Sequence, residues 1–446
     1  MKTTLQLSTL LTLCLVSFLP ASVLADVTIL VPSSRDGRDS CNAAAEAGGD
    51  GVRCERHLTK AMAVAAEALN AGGAMTVTLR LAGGEYLGDM DGGNYVLPLF
   101  DNPEANLLFE GGYDAGFQSR DPWTTPTRFS TTEARGGAYW TVARNTKTRS
   151  LVVDGIVWDM AASNKYDAKS NSLKKGASST HKVIKFNYWE LGQLTFRNNV
   201  FMNAPHRVTE TLVRAADAKV TIVYENNVFL NNVIPIKLDS ARFRNKPSQI
   251  VVRKNSFLLN WAYNPDPTTG SPGTVDVGPR DAANEVIIEE NLFYANFGGG
   301  IQIGPDNAPL VSIRKNNFVG NGLLHGDSSS EAASVISVRN SGMQPLKSLD
   351  YIEDITDMTK GDGTGNVSVN PAVGVSMATG AQTADSASVS ATDSWENSVK
   401  SILGMNLDGG TVAIKDYAPM QVWNPDALFP KNAAASGYGA TRTLAR

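Results

Sequence analysis

The sequence is short of the residues that most often carry enzyme chemistry, and it lacks an excess of either charge. Its 446 residues include three cysteines and four histidines, and the histidines fall in predicted turns or loops. Forty Lys and Arg residues against 44 Asp and Glu residues give a net charge of −4. This mild acidity argues against nucleic acid as a partner. No apolar run reaches the length that crosses a bilayer, so we expect no membrane span.

The apolar start of the chain has the features of a secretory signal peptide. Lys2 supplies the positive charge, residues 5–19 form the apolar stretch, and Ala25 ends a run of small or short side chains. We therefore expect residues 1–25 to be removed, leaving a mature chain that begins at Asp26 with a net charge of about −5. A membrane anchor would need a longer apolar stretch. We expect a protein that is secreted, periplasmic or held at the cell surface.

Two cysteines remain in the mature chain, Cys41 and Cys54, close together in a Gly-rich stretch. In an exported protein such a pair predicts a disulfide. The alternative is a metal site, which would need further nearby ligands, and His57 is the only one at hand.

A strand-like apolar alternation that ends in Asn-x-Phe and a polar turn occurs five times, most clearly between Val220 and Asn232. The Asn residues that open the five triplets are Asn199, Asn227, Asn255, Asn291 and Asn316. The steps between them are 28, 28, 36 and 25 residues. A repeat of this length is the mark of a solenoid or a propeller.

Each Asn-x-Phe is followed, after a turn, by a second apolar-x-apolar triplet. These triplets are Ile236-Lys237-Leu238, Val275-Asp276-Val277, Ile301-Gln302-Ile303 and Ile336-Ser337-Val338. Because the repeats have strand-length and no helix-length patterns, we predict a coil of short parallel strands, stacked about 4.8 Å apart. The Phe residues should stack inside the coil. The Asn residues should lie at bends with left-handed backbone and hydrogen-bond along the stack.

In these repeats the chain resembles the right-handed parallel β-helix proteins of the pectin-lyase-like superfamily, over about residues 27–345. The resemblance implies an all-β solenoid with coils over 76–345, an N-terminal cap over 26–75 that contains the disulfide loop and a helix, and an irregular C-terminal closing segment over 346–446. We expect a monomer. A capping helix is predicted because an open end would expose strand edges. Its apolar stripe consists of Leu58, Met62, Ala65, Ala66 and Leu69.

Aligning the repeats on Asn-x-Phe places charged residues in two columns. The first column lies two residues before each Asn and consists of Arg197, Glu225, Arg253, Glu289 and Arg314. Its signs alternate, so attraction between neighbouring rungs accounts for it without any function.

The second column is the middle residue of the other strand, and its first three members are basic. It consists of Lys185, Arg214, Lys237, Asp276, Gln302 and Ser337. Stacked like charges destabilise a sheet, so three unrelieved basic rungs predict an anionic partner such as an acidic polysaccharide. Two alternatives stay open. In the first, flanking acids such as Asp217 and Asp239 neutralise the basic column. In the second, the assumed register is wrong by one residue.

The resemblance implies action on uronate-containing glycans, and a lyase on such a glycan needs a base and a group that neutralises the sugar carboxylate. The candidate bases are Lys237, Arg214 and Arg242. The candidate substrate-binding residues are Lys185, Arg214, Lys237, Asp276, Arg280 and Gln302. A Ca²⁺ ion held by oxygen ligands could neutralise the carboxylate. Its candidate ligands are Asp239, Asp276 and Asp281.

No catalytic motif of the superfamily can be transferred to this chain. The Asp pair of its hydrolases has no counterpart, and Asn264-Pro265-Asp266-Pro267 departs from the Asp-Pro-His-Asp of its epimerases. Two hypotheses therefore stand, because fold alone does not give function. One is a secreted protein that binds or acts on an acidic polysaccharide, including as a lyase. The other is a non-catalytic extracellular glycan-binding, adhesin or structural β-helix protein.

Overall fold

The structure is a computed structural model, and it describes residues 26–72, 75–87, 95–132, 139–143, 145–164, 166–167, 172–173, 183–186, 189–205, 207–210, 213–215, 220–238, 248–260, 274–277, 285–294, 296, 301–303, 311–319, 321, 336–338, 344–345, 363–367, 369–375, 382–385, 413–417 and 424–446. The predicted signal peptide lies outside these ranges.

The chain visits three β-sheets in turn and then returns to the first. One such coil runs from Val220–Glu225 in the first sheet to Val228–Leu230 in the second and Ile234–Leu238 in the third. The next coil begins with Ser248–Arg253, which pairs in parallel with Val220–Glu225. Three long sheets built from parallel neighbours in this way define a β-solenoid, as the repeat length predicts.

The strands of each sheet follow one another along the stack of coils. The first sheet contains Val52–Cys54, Val27–Val31, Thr76–Ala82, Asp101–Tyr113, Lys147–Asp154, Trp189–Arg197, Val220–Glu225, Ser248–Arg253, Glu285–Glu289 and Val311–Arg314, with Val213–Ala215 paired to Trp189–Arg197. The second sheet contains Gly84–Leu87, Thr127–Ser130, Ile156–Asp159, Val200–Met202, Val228–Leu230, Ser256–Leu258, Leu292–Tyr294 and Asn317–Val319. The third sheet contains Tyr95–Leu97, Trp140–Val142, Ile184–Lys185, Arg207–Glu210, Ile234–Leu238, Val275–Val277, Ile301–Ile303, Ile336–Val338 and, antiparallel at its edge, Gln344–Pro345.

A few described elements lie outside the three sheets. Tyr166–Asp167 pairs antiparallel with Ser172–Leu173, and Gln382–Asp385 pairs antiparallel with Ala413–Tyr417. Three single-turn 3-10 helices complete the set: Ala161–Ser163, Pro425–Ala427 and Ala433–Ala435.

The described residues contain two α-helices, α1 at Arg38–Gly48 and α2 at Leu58–Asn70, and both come before the strand Thr76–Ala82 in the sequence. All five residues of the predicted apolar stripe are buried in α2 and belong to the main core. Helix α1 was not predicted, because Cys41 is its one buried residue and it therefore shows no apolar stripe. The disulfide between Cys41 and Cys54 is confirmed, and it joins α1 to a strand of the first sheet, where the sequence suggested a loop. Within the described residues, neither helix is long and apolar enough to cross a membrane.

The predicted aromatic ladder is present in the core. The rings of Phe201, Phe229, Phe257, Phe293 and Phe318 stack nearly parallel, with centroids 4.8–5.1 Å apart. Trp158 continues the stack at 6.0 Å from Phe201. Because each ring is fully buried, the ladder combines apolar burial with about 0.5–1.5 kcal/mol of ring contact per pair.

The asparagines of Asn-x-Phe form a second buried ladder. Each side-chain amide donates to Oδ1 of the Asn in the next coil, at 2.9–3.1 Å. The backbone N–H of each Asn donates to the same oxygen, at 2.9–3.0 Å. The ladder consists of Asn199, Asn227, Asn255, Asn291, Asn316 and Asn366. Hydrogen bonding along the stack is thus confirmed.

The left-handed backbone, however, belongs to the residue before each ladder Asn. These residues are Asn198, Asn226, Lys254, Glu290 and Lys315, with φ between 51° and 56°. The prediction that the ladder Asn itself adopts this conformation is wrong. The turn residue needs only to tolerate positive φ, so Lys and Glu occur there, whereas the ladder position needs a buried amide that both donates and accepts.

A third ladder, of asparagines five residues further on, holds the opposite end of each second-sheet strand. Asn232, Asn260, Asn296 and Asn321 are linked by side-chain hydrogen bonds of 3.2, 2.8 and 2.7 Å. The two Asn ladders therefore fix both bends that flank each three-residue strand, which sets the register of the neighbouring sheets.

Candidate functional site

The predicted site column lies in the third sheet, where parallel pairing defines its order. Along the stack, the column consists of Thr141, Lys185, Glu210, Lys237, Asp276, Gln302 and Ser337. Five of the six predicted members therefore share one column in the predicted order. Lys185 follows the fully buried Ile184 and is itself half-buried, as expected where side chains alternate between core and solvent.

Arg214 does not belong to this column, so that part of the prediction is wrong. It lies in Val213–Ala215, which pairs with the first sheet, and its register partner is Glu190. The place between Lys185 and Lys237 belongs to Glu210.

The long strand Trp189–Arg197 explains the error. Its first residues, including the buried Trp189 and Leu191, precede the point at which the next coil's strand Val220–Glu225 begins to pair. Their backbone groups need a partner, and Val213–Ala215 supplies it. The coil therefore holds two strand-like triplets before Val220, and the sequence alone favoured the wrong one. The sequence signal for Glu210 was the alternation in Val208-Thr209-Glu210.

The corrected column alternates in charge through its first four ionisable members: Lys185, Glu210, Lys237 and Asp276. The three unrelieved basic rungs of the prediction do not exist. Opposite charges on adjacent rungs attract, so the column does not require an anionic partner for its stability. By residue type, the register aligns two cations, two anions, an amide and two hydroxyls, one per coil.

The first-sheet column matches its predicted order and its predicted structural role. Parallel pairing joins Arg197, Glu225, Arg253, Glu289 and Arg314 in sequence. Arg253 Nη2 lies 2.9 Å from Glu225 Oε2, and Arg314 Nη2 lies 2.9 Å from Glu289 Oε2. These ion pairs account for the alternating charges without a ligand.

Asp154 continues the first-sheet column beyond Arg197, as its register partner in the preceding coil, and is fully buried. Arg120 Nη2 lies 2.6 Å from its Oδ1, and Arg197 Nε lies 2.6 Å from its Oδ2. Asn198 Nδ2 donates to Oδ1 at 2.8 Å. A buried carboxylate with two guanidinium partners and an amide donor is compensated in charge, and it holds the loop of Arg120 to the coils.

The second sheet offers no polar face over its later coils, a feature that the sequence analysis did not recognise. From Val200 onward, all three residues of each strand are buried, including the positions on either side of the stacked Phe. The signal was present in triplets such as Val-Phe-Leu and Leu-Phe-Tyr, because a run without alternation indicates burial on both faces.

The C-terminal residues cover part of this region. The Ala440 N–H donates to Ser256 Oγ at 2.9 Å, and a Cβ added to Gly439 would lie 2.9 Å from Leu292 Cβ. Further along, Asn226 Oδ1 accepts from the Thr441 N–H at 2.7 Å. Asn198 Oδ1 accepts from the Ala445 N–H at 2.8 Å, and Asn198 Nδ2 donates to the Ala445 carbonyl at 3.0 Å.

The remaining predicted site residues, Arg242, Arg280, Asp239 and Asp281, lie outside the described residues. Asp276 is the one predicted calcium ligand that is described, through its strand and register. Within the described ranges, no group of three or more His, Cys, Asp or Glu residues could hold a metal ion. The calcium site therefore stays a prediction.

Comparisons of the chain with models of protein families, with curated proteins and with solved structures found no match. Function must therefore be inferred from the site itself.

Proposed function

We propose that the chain is an exported, right-handed parallel β-helix protein of the pectin-lyase-like kind that binds an acidic polysaccharide along the third sheet. Helix α2 closes the first end of the coils in this proposal, and the C-terminal residues cover the second sheet. The observation that carries the proposal is the third-sheet column, which places Lys185, Lys237, Gln302 and Ser337 in one line.

The third sheet is the best candidate because the other two sheets are engaged elsewhere. The outer charges of the first sheet form ion pairs with each other. The later strands of the second sheet are buried at every position. In the third sheet, lysines can attract carboxylates while amide and hydroxyl groups hydrogen-bond to sugar hydroxyls. Glu210 and Asp276 lie between these groups, so the column offers an extended polymer one polar side chain per coil, at about 4.8 Å spacing.

Binding is better supported than lyase chemistry. The register neighbours of Lys237 are Glu210 and Asp276. A lyase needs a base as well as a line of binding groups, and the register of the column supplies only the line. A lyase with Lys237 as its base and Ca²⁺ at Asp276 is a more specific version of the proposal. It also depends on residues beyond the described ranges.

The experiment uses the mature chain with polygalacturonate, alginate, a sulfated glycan and neutral dextran, with Ca²⁺ or with EDTA. Binding is measured by affinity electrophoresis, and lyase activity by ultraviolet absorbance of the unsaturated product. Retardation by an acidic glycan and not by dextran would support the proposal. An absorbance rise abolished by EDTA would establish the lyase. No retardation by any acidic glycan would contradict the proposal.

The second candidate is a non-catalytic structural rod or adhesin. It is favoured by the alternation of charge in the third-sheet column, which attraction between rungs explains without a ligand. Under this reading, neutralising Lys237 lowers stability slightly and changes no glycan affinity.

A further inference from the structure

An open pocket of about 450 Å³ lies on the outer side of the second sheet, near the first coils. It is lined by Gly84, Glu85, Thr124, Thr125, Pro126 and Arg128. Its volume falls within the range of small-molecule sites. It lies on a different sheet from the proposed glycan column, and no sequence motif pointed to it.

Arg128 lines this pocket, and its guanidinium has few partners among the described residues. Its side chain is 28% exposed, and its one ion pair to the described part of the chain is a 3.7 Å separation between Nη1 and Asp159 Oδ2. The Arg128 side chain donates no hydrogen bond to those residues, although a guanidinium carries five N–H donors. Because the side chain is partly exposed at the pocket, its remaining N–H donors are open to water or to a ligand.

Asp159 is held by other partners. Its Oδ1 accepts from Asn203 Nδ2 at 2.8 Å and from the Ala161 N–H at 3.1 Å. Burial is the main cause that raises the pKa of Asp159 above its usual value, and this weakens its hold on Arg128 near and below that pKa.

Glu85 supplies the opposite charge beside Arg128. The two residues are direct register partners on adjacent strands. Glu85 is exposed, and its carboxylate makes no hydrogen bond or ion pair with the described residues. The pocket therefore places a cation and an anion side by side, each with capacity to bind.

The walls of the pocket are fixed by the fold. A Cβ on Gly83 would lie 2.3 Å from Thr125 Cγ2, so glycine allows the 124–126 loop to pack against the strand. The Gly84 N–H donates to the Pro126 carbonyl at 2.9 Å. Thr124 Oγ1 donates to Asp121 Oδ2 at 2.7 Å. A preformed site loses less free energy on binding because less must be ordered.

We propose that this pocket binds a small zwitterion, with the ligand carboxylate on Arg128 and the ligand ammonium on Glu85. An acidic sugar would suit Arg128 but meet Glu85 with like charge. A simple cation would suit Glu85 but meet Arg128. A ligand that carries both charges, such as an amino acid or a dipeptide with free ends, satisfies both groups.

The test titrates the mature chain with diglycine, acetate, ethylamine and galacturonate, using calorimetry and ligand-observed NMR. We expect saturable diglycine binding with a Kd of about 1 mM or lower. Each singly charged probe should bind at least about tenfold more weakly, because one charge-assisted contact is lost.

Three variants assign the binding to the pocket. Glu85→Gln and Arg128→Gln should each weaken diglycine binding by about tenfold or more. The matched control, Arg53→Gln, replaces an exposed strand arginine away from the pocket and should leave binding unchanged. Glu85→Gln alters an exposed side chain, so the test does not depend on the folding of Arg128→Gln.

The proposal is overturned if diglycine does not saturate by about 50 mM. It is also overturned if galacturonate or acetate binds as tightly as diglycine, or if Glu85→Gln leaves the affinity unchanged. These outcomes are independent of the third sheet, since glycan binding is tested with Lys237 variants.

Discussion

Replacing Asn255 with alanine removes one rung from the first Asn ladder, and the structure allows its cost to be worked out. Asn255 Oδ1 accepts from the Asn227 N–H at 3.0 Å and from Asn227 Nδ2 at 2.9 Å. Its Nδ2 donates to Asn291 Oδ1 at 3.0 Å and to the carbonyls of Tyr224 and Arg253, both at 2.9 Å. Asn255 and Asn227 are fully buried.

The substitution leaves one buried N–H, that of Asn227, without an acceptor. Such an orphaned group costs about 1–3 kcal/mol, and each further lost hydrogen bond costs about 0.5–1.5 kcal/mol. Asn227 Nδ2 keeps its bond to the Phe196 carbonyl, which limits the loss. We expect Asn255→Ala to lower the free energy of unfolding by about 3–5 kcal/mol, a large part of the stability of an ordinary domain.

The assay is urea unfolding followed by circular dichroism and tryptophan fluorescence. The control is Asn424→Ala, which removes an exposed cap from a 3-10 helix and should cost about 1 kcal/mol or less. If Asn255→Ala lowers the free energy of unfolding by less than about 1 kcal/mol, water or a neighbouring Asn replaces the lost amide. The Asn ladder would then not be a main determinant of strand register.

Three further predictions concern the core, the N-terminal region and pH. Phe257→Ala should cost about 3–5 kcal/mol in urea unfolding, because its ring stacks on two neighbours at 4.9 and 4.8 Å; a loss under 1 kcal/mol would contradict the stack's role. Replacing Cys41 and Cys54 by alanine should lower stability by about 3 kcal/mol, measured against the oxidised wild type; equal stabilities would contradict it. Burial raises the folded-state pKa of Asp159. Its contribution to the free energy of unfolding is therefore present at acid pH and lost as pH rises through that pKa. Asp159→Asn should therefore gain stability relative to wild type from acid pH to neutrality, and a flat difference would refute the assignment.

The solenoid could be predicted because its determinants are local and repeated. Asn199, Phe201 and their counterparts recur at nearly fixed steps, and each copy faces the same surroundings in the stack. The same repetition fixed the first-sheet column. Residue type and spacing together were sufficient for the Phe ladder, the Asn ladder and the alternating charges.

The third-sheet column could not be fully predicted, because one coil contains two triplets that could belong to it. Both triplets lie between Asn203 and Val220. Val213–Ala215 belongs to the first sheet because the backbone groups at the start of Trp189–Arg197 need hydrogen-bond partners. That demand is a tertiary effect, which the pattern of one triplet does not show. Glu210 was therefore overlooked, and its presence changes the charge of the whole column.

The zwitterion pocket was likewise beyond a sequence pattern. Glu85 and Arg128 lie 43 positions apart and become neighbours only when two coils stack. A lone Glu and a lone Arg carry no motif, so the signal appears only in the structure, where the two residues are register partners at one pocket.

Binding of an acidic polysaccharide along the third sheet can be tested by comparing three proteins. Polygalacturonate affinity is measured for the wild type, Lys237→Ala and Lys60→Ala under the same salt conditions. Lys60 lies in α2 with a side chain 68% exposed, so its loss removes an equal charge away from the column. We predict that Lys237→Ala weakens binding by about tenfold while Lys60→Ala changes it by less than about twofold. Equal affinities for all three proteins would contradict the claim and leave the β-solenoid as a structural or adhesive protein.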